Sequence, residues 1–364
     1  MVQNVLRILL AAALILLGFW FLIEIKTIII YVVVSWVVAL IGRPLFKLLD
    51  QVSVRGRHLP GAVKSAMTLI FILAILVLTI GIFLPLIFDE AKRLSSIDVA
   101  SVKNSLQPAV ASIKSVGEKY GIEPLRQINE SQISNYVFDS VNFSAIPGLL
   151  NSALSIFGNL LVATFSVAFI SFFFLKDKAM VTNVIMLITP KSKEASAKRI
   201  IFNTRQTLSR YFLGLLLQIT AITICVYIGL SFLGIQNALL IAFFSGLANL
   251  IPYIGPWIGA FFAMFIVVSN NISASFVDVV QPKLMGLVVV YAITQMLDNY
   301  IFQPTIFSNS IHAHPLEIFL VILIAGTLGG VIGMVIAIPL YAFMRIVFIE
   351  MNREFGFIER LKAR

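Results

Sequence analysis

The sequence predicts an all-α polytopic membrane protein with six spans, two re-entrant helical hairpins and a small helical extracytoplasmic region; eight full spans are the alternative. Three observations carry this. The 364 residues are 59% hydrophobic and only 12% charged, with mean hydropathy +0.99, against about 25% charged in ordinary soluble domains. Basic residues gather in alternate loops. Two apolar stretches, 238–268 and 316–348, are broken by glycine and proline. As straight helix each would run about 45–50 Å, while the hydrocarbon core is about 30 Å thick.

The elements follow in chain order. Val5–Ile23 reads as the first span. With Arg7 it imitates a signal peptide, but "LGFWFLIE" offers no small-residue cleavage site, so the span is expected to stay. Span two is Thr27–Ile41, running on to Leu49. The loop 42–64 carries Arg43, Lys47, Arg55, Arg57 and Lys64 against the single acid Asp50, which places it in the cytoplasm by the positive-inside rule. Span three is Ala62–Phe88, and 1–88 forms a three-span scaffold.

The stretch 89–147 holds six Lys/Arg and seven Asp/Glu. It lacks positive bias and is expected outside the cytoplasm. Leu94, Ile97, Val102, Leu106, Val110, Ile113, Val116 and Tyr120 recur mostly at helical steps. That stripe packs on its own second half or on neighbouring subunits; no catalytic constellation accompanies it.

Span four is Ile146–Leu175. The following loop to Arg210 carries eight Lys/Arg and two acids, so 148–210 is a span plus a cytoplasmic loop. Span five is Tyr211–Leu233, and 211–349 is the expected transport unit. The tail 350–364, with Arg353, Arg360, Lys362 and Arg364, is cytoplasmic. Net charge of +10 is thereby read as positive-inside bias and not as a nucleic-acid surface. Cys225 is the single cysteine, so no intrachain disulfide forms. The chain is expected in a cytoplasmic (inner) membrane with both termini on the cytoplasmic side in either topology.

The links 269–283 and 303–315 swap sides between the two topologies and contain one lysine between them, so charge does not decide. Length favours hairpins: arms of about 13–15 residues reach about 20 Å. Span five with the first broken stretch then matches span 284–302 with the second, as an inverted repeat. Such repeats bracket midplane sites in transporters.

The first break, "NLIPYIGP", centres on Asn249, Pro252, Gly255 and Pro256. The prolines remove backbone donors and push the preceding residues out of helical conformation. Freed carbonyls near Asn249, and N–H groups from about Trp257, suit a polar ligand; a plain proline kink is the alternative. The second break, "GTLGGVIG", contains Gly326, Gly329, Gly330 and Gly333, which serve a turn or close helix packing. Gly246 is the counterpart of Gly326 just before the first break.

Asp298 is the most informative ionisable residue. An intramembrane acid is a candidate proton or cation relay, or else an interfacial helix cap. Gln295, Asn299 and Gln303 lie about one turn away, with Gln218 and Thr220 at a corresponding level in span five. Asn249, Asp298 and Gln303 are expected to approach one polar cavity. His312 and His314 near Glu317 form a weak metal candidate; no metal or cofactor is expected. No phosphate loop or Ser/His/Asp set occurs, so no enzyme activity is expected.

"NLIPYIGPWIGA" (249–260), "QMLDNYIFQPTIFSNSIHAHPLEIFLVIL" (295–323) and "GTLGGVIGMVIAIPL" (326–340), with the basic "RPLFKLL" after span two, resemble the autoinducer-2 exporter family, also described as the PerM-like permeases. The resemblance covers nearly the whole chain. It implies a secondary transporter exporting a small polar solute such as autoinducer-2, or exchanging sodium or lithium for protons. It also implies a homo-oligomer, a pentamer among its forms. A non-transporting scaffold is the competing reading from another class.

Overall fold

The computed structural model describes residues 16–18, 20–21, 23–51, 53–54, 57–95, 146–177, 179–271, 274–304 and 314–355, with isolated positions at 114, 118, 121 and 123. Most of the expected first span, the 89–147 amphipathic stripe, His312 and the end of the tail lie outside the described residues.

The described chain is helical: α1 (Lys26–Asp50), α2 (Gly61–Ser95), α3 (Ile146–Lys176), α4 (Met180–Ile188), α5 (Glu194–Phe232), α6 (Ala238–Ala248), α7 (Gly255–Asn270), α8 (Gln281–Leu297) and α9 (Pro315–Phe355). A two-rung antiparallel ladder, Ser53↔His58 and Val54↔Arg57, closes the α1–α2 turn. Among the described residues, five helical segments are long and apolar enough to cross a membrane: 26–50, 61–93, 191–232, 276–302 and 316–353. Their large aliphatic side chains are widely exposed, Ile70, Val77, Leu217, Val289 and Ile324 among them. In water that surface would be prohibitive; facing lipid it carries no such penalty.

The chain divides into two compact units, 1–75 with 156–201, and 76–155 with 202–364. The first unit is held by small-residue contacts. Ser35 donates to Val167 O at 3.1 Å and Ser171 donates to Ser35 O at 3.1 Å. Gly42 lies against Thr68, Ile72 and Leu175. Small residues let helix backbones approach where lipid supplies no hydrophobic drive. Ala39, Phe46, Leu69 and Leu175 fill the centre, and Lys64 pairs with Asp50.

In the second unit α5 and α8 run antiparallel, as three contacts in opposite chain order show: Gly286 on Leu233, Gly229 on Val290, and Gln218 on Asp298. The two broken stretches both reverse direction. At the first, α6 turns into α7: Gly255 meets Ala248 and Asn249, and Gly259 meets Ser245. At the second, α9 breaks at Gly330 (φ 59°, ψ −145°). Gly333 then meets Ala325, Gly326 meets Met334, and Tyr341 bonds Glu317. Residues 317 and 341 would stand about 36 Å apart on an unbroken helix, so the contact requires a hairpin. Neither stretch is one straight span.

The core of this unit has two parts. Ile222, Val226, Leu230, Ile241, Ile266 and Leu287 bury the first hairpin between α5 and α8. Tyr211, Ile322, Ala337 and Ile338 seat the second against the start of span five.

Candidate functional site

The first break is built by proline. Ile251 and Gly255 each precede a proline and cannot settle comfortably into helix. The chain turns through Leu250 N–H to Leu247 O (3.0 Å), Ile251 N–H to Ala248 O (3.0 Å) and Ile254 N–H to Pro252 O (2.8 Å). Tyr253 takes a left-handed φ of 67°, uncommon for a bulky residue. Pro256 then opens α7 in its first turn, where a missing N–H costs nothing. Gly255 is required sterically: a Cβ there would stand 2.2 Å from Ala248 O.

A second irregularity faces this tip. At its end α8 widens into a π-turn, Asp298–Phe302, with Gln303 N–H bonding Asp298 O. On an α-helix residues five apart point about 140° away from each other. The wider i→i+5 turn brings Asp298 and Gln303 onto one side, and Gln303 Nε2 donates to Asp298 Oδ2 at 2.8 Å. Gln218 Nε2, from α5, donates to Oδ1 at 2.8 Å. Asp298 is 1% exposed. Both of its carboxyl oxygens are thus met by side-chain amides. Gln295 and Gln303 also donate to Asn299 Oδ1, at 3.1 and 3.4 Å.

These groups line a cavity of ≈ 250 Å³, somewhat below the ~300–1,000 Å³ of typical ligand pockets. Asn249, Pro252 and Pro256 of the first break, Gln218 of span five, and Gln295, Asp298, Asn299 and Gln303 all face it. The remaining wall, from Tyr211, Leu215, Tyr253, Ile318 and Ile338, escaped the sequence reading. Apolar residues among many like them give no signal. Tyr253, an aromatic between two prolines, could have been singled out. Beside the main cavity a smaller one of ≈ 20 Å³ touches Ser245, Tyr291 and Thr294. There Tyr291 donates to Gly259 O at 3.0 Å and contacts Ser245 Oγ at 2.5 Å.

Other expected residues lie elsewhere. Gly246 does not form the break; it lies against Thr223 and Ile219, where a Cβ would stand 2.2 Å from Thr223 Oγ1. Gly326 and Gly333 pack the arms of the second hairpin, Gly330 turns it, and Gly329 stands in open space. None of the four lines the cavity. Thr220 is exposed and bonds back to Leu216 O. His314 accepts from Leu316 N–H at 3.2 Å, and Glu317 is engaged by Tyr341.

The sequence model describing AI-2E family transporters matches residues 9–353, and the chain belongs to this family. Bacillus subtilis YueF, named as a candidate transport protein, is 31% identical over 57% of this chain and 55% of its own length. YrrI of the same organism, similarly named, is 29% identical over 57% and 56%. Escherichia coli PerM, named as a candidate permease, is 26% identical over 54% of each chain. The chain thus matches about half the length of these relatives.

Proposed function

We propose that this member of the AI-2E transporter family is a secondary carrier whose substrate site is the Asp298 cavity, and that it exports a small, uncharged polar solute. The observation that carries the reading is a buried carboxyl group, held by Gln218 and Gln303, that shares a cavity with the tip of the first broken stretch. Irregular backbone at membrane depth persists where it lines a wet cavity. The lining supplies amide donors and acceptors, hydroxyls and one carboxylate, with no lysine or arginine among the described residues. That chemistry suits hydroxyl-bearing solutes and disfavours anions. The family makes autoinducer-2 the first solute to test.

In this reading both hairpins are re-entrant, enter from opposite faces of an inner membrane, and leave both termini in the cytoplasm. The antiparallel pairing of α5 with α8 supports it, since each helix precedes one hairpin. The topology fails if an externally added thiol reagent labels a cysteine placed at Asn309.

A second reading, cation/proton antiport, is favoured by Asp298 being the one carboxylate in the lining. Proteoliposomes separate the two. Loaded with labelled autoinducer-2, pentoses or polyols under an imposed pH gradient, the parent releases solute and Asn249→Leu does not. Asp298→Asn keeps downhill solute efflux if the acid only shapes the site, and loses sodium-dependent proton movement if it couples ions. Vesicles that move neither solutes nor ions support the scaffold reading instead.

A further inference from the structure

The first hairpin is fastened by a buried carboxylate outside the cavity. Glu90, near the end of α2, is 3% exposed. Its Oε2 accepts from Asn237 Nδ2. Asn237 immediately precedes α6 and holds a left-handed φ of 58°. Arg93, one turn further along α2, donates to Gln236 Oε1 at 3.3 Å. Two turns before Glu90, Phe83 stacks on Phe243 at 3.6 Å. One face of α2 therefore grips the first arm at its start and middle.

The second arm reaches the same carboxylate. The side-chain amide of Asn270, the last residue of α7, is also a hydrogen-bonding neighbour of Glu90, although Asn270 Nδ2 and Glu90 Oε1, both buried, make no bond of good geometry. Buried polar groups are rarely left so. The contact from Asn270 is thus looser than the bond from Asn237.

We propose that Glu90 is the basal clamp of the first hairpin, a positioning residue that fastens the ends of both arms and thereby sets where the Asn249 tip stands against Asp298. Asn237 makes the well-formed bond to this carboxyl group and Asn270 the looser contact. The arms are helices of 11 and 16 residues, packed on each other from Gly255 to the base. Packed helices shift as units, so displacement at Asn270 is carried to Pro256, which lines the cavity. The inference rests on the fold and not on transport, and its test needs no flux.

The test is hydrogen exchange on the full chain in lipid nanodiscs. Glu90→Ala is expected to raise exchange at least tenfold through 238–270, including the tip at 249–258, while 281–302 and 315–355 stay unchanged. Glu90→Gln is expected within threefold of the parent, because its amide oxygen still accepts from Asn237. Asn237→Gly keeps the left-handed backbone and removes only the amide, and is expected to reproduce the Glu90→Ala effect on 238–258. It decides the matter if Glu90→Ala does not fold. An unmoved tip in Asn237→Gly, acceleration spread equally over 281–302, or no rescue by Gln overturns the proposal.

Discussion

The two hairpins look alike as sequence and differ as structure. The first turns through several residues between two prolines, and its tip presents Asn249 and Tyr253 to a polar cavity. The second turns at one glycine, and its tip presents mainly apolar surface: Leu328 is 84% exposed, with Val331 and Ile332 close behind, and the hydroxyl of Thr327 bonds back to Ile324 O. Its contribution to the cavity comes from the opposite end, through Ile318 and Ile338. A proline-built turn leaves backbone groups and a polar side chain to be satisfied by neighbours. A glycine-built turn solves the reversal with one dihedral pair. The first hairpin therefore brings a polar tip to the cavity and the second an apolar wall.

Three experiments press on that contrast. The largest effect should come from stripping Asp298 of its amides. The double variant Gln218→Leu with Gln303→Leu leaves a buried carboxylate bare and is expected to cost about 3–6 kcal/mol, read as loss of thermal stability in detergent. Asp298→Asn in the same background should recover most of it. A double variant as stable as the parent would show that the carboxylate is not dependent on these two donors.

Next is the second tip. Gly330 occupies a region of backbone space open essentially only to glycine, and Gly330→Ala should cost about 1–3 kcal/mol. Gly329→Ala, with nothing within 4 Å of the added methyl, should stay within about 0.5 kcal/mol. Equal costs at the two positions, measured by denaturant titration, would mean the reversal does not depend on a single residue.

The smallest effects test one tie at each hairpin, at the first from α8 and at the second between the hairpin's own arms. Tyr341→Phe removes the bond to Glu317, and Tyr291→Phe removes the bond to Gly259 O. Each should cost about 0.5–1.5 kcal/mol. Solute flux should fall in Tyr291→Phe, which lies beside the cavity, and hold in Tyr341→Phe. The reverse pattern would exchange the roles given to the hairpins.

Much of the architecture was legible from residues alone. Apolar runs of bilayer length mark the long helices, and the excess length of 238–268 and 316–348 marks the two stretches whose helices break. Asn249, Asp298 and Gln303 stood out because polar groups in apolar runs are costly and need a reason. Gly246 misled, because a glycine near a break looks the same whether it turns the chain or admits a neighbouring helix. Glu90 was hidden in a mixed-charge region, where one more acid carries no signal.

The sequence by itself determined that this chain belongs in lipid and which two apolar stretches are interrupted, but not that helix fills most of the expected 176–210 loop, where α5 starts at Glu194. These follow from local quantities: hydropathy, length, and the dihedral limits of proline and glycine. Only the tertiary structure decided which break faces the cavity, that a π-turn swings Gln303 back onto Asp298, and that Glu90 meets Asn237 across 147 residues. Those outcomes depend on which faces of distant helices meet, and spacing along one chain segment holds no record of the partner's face.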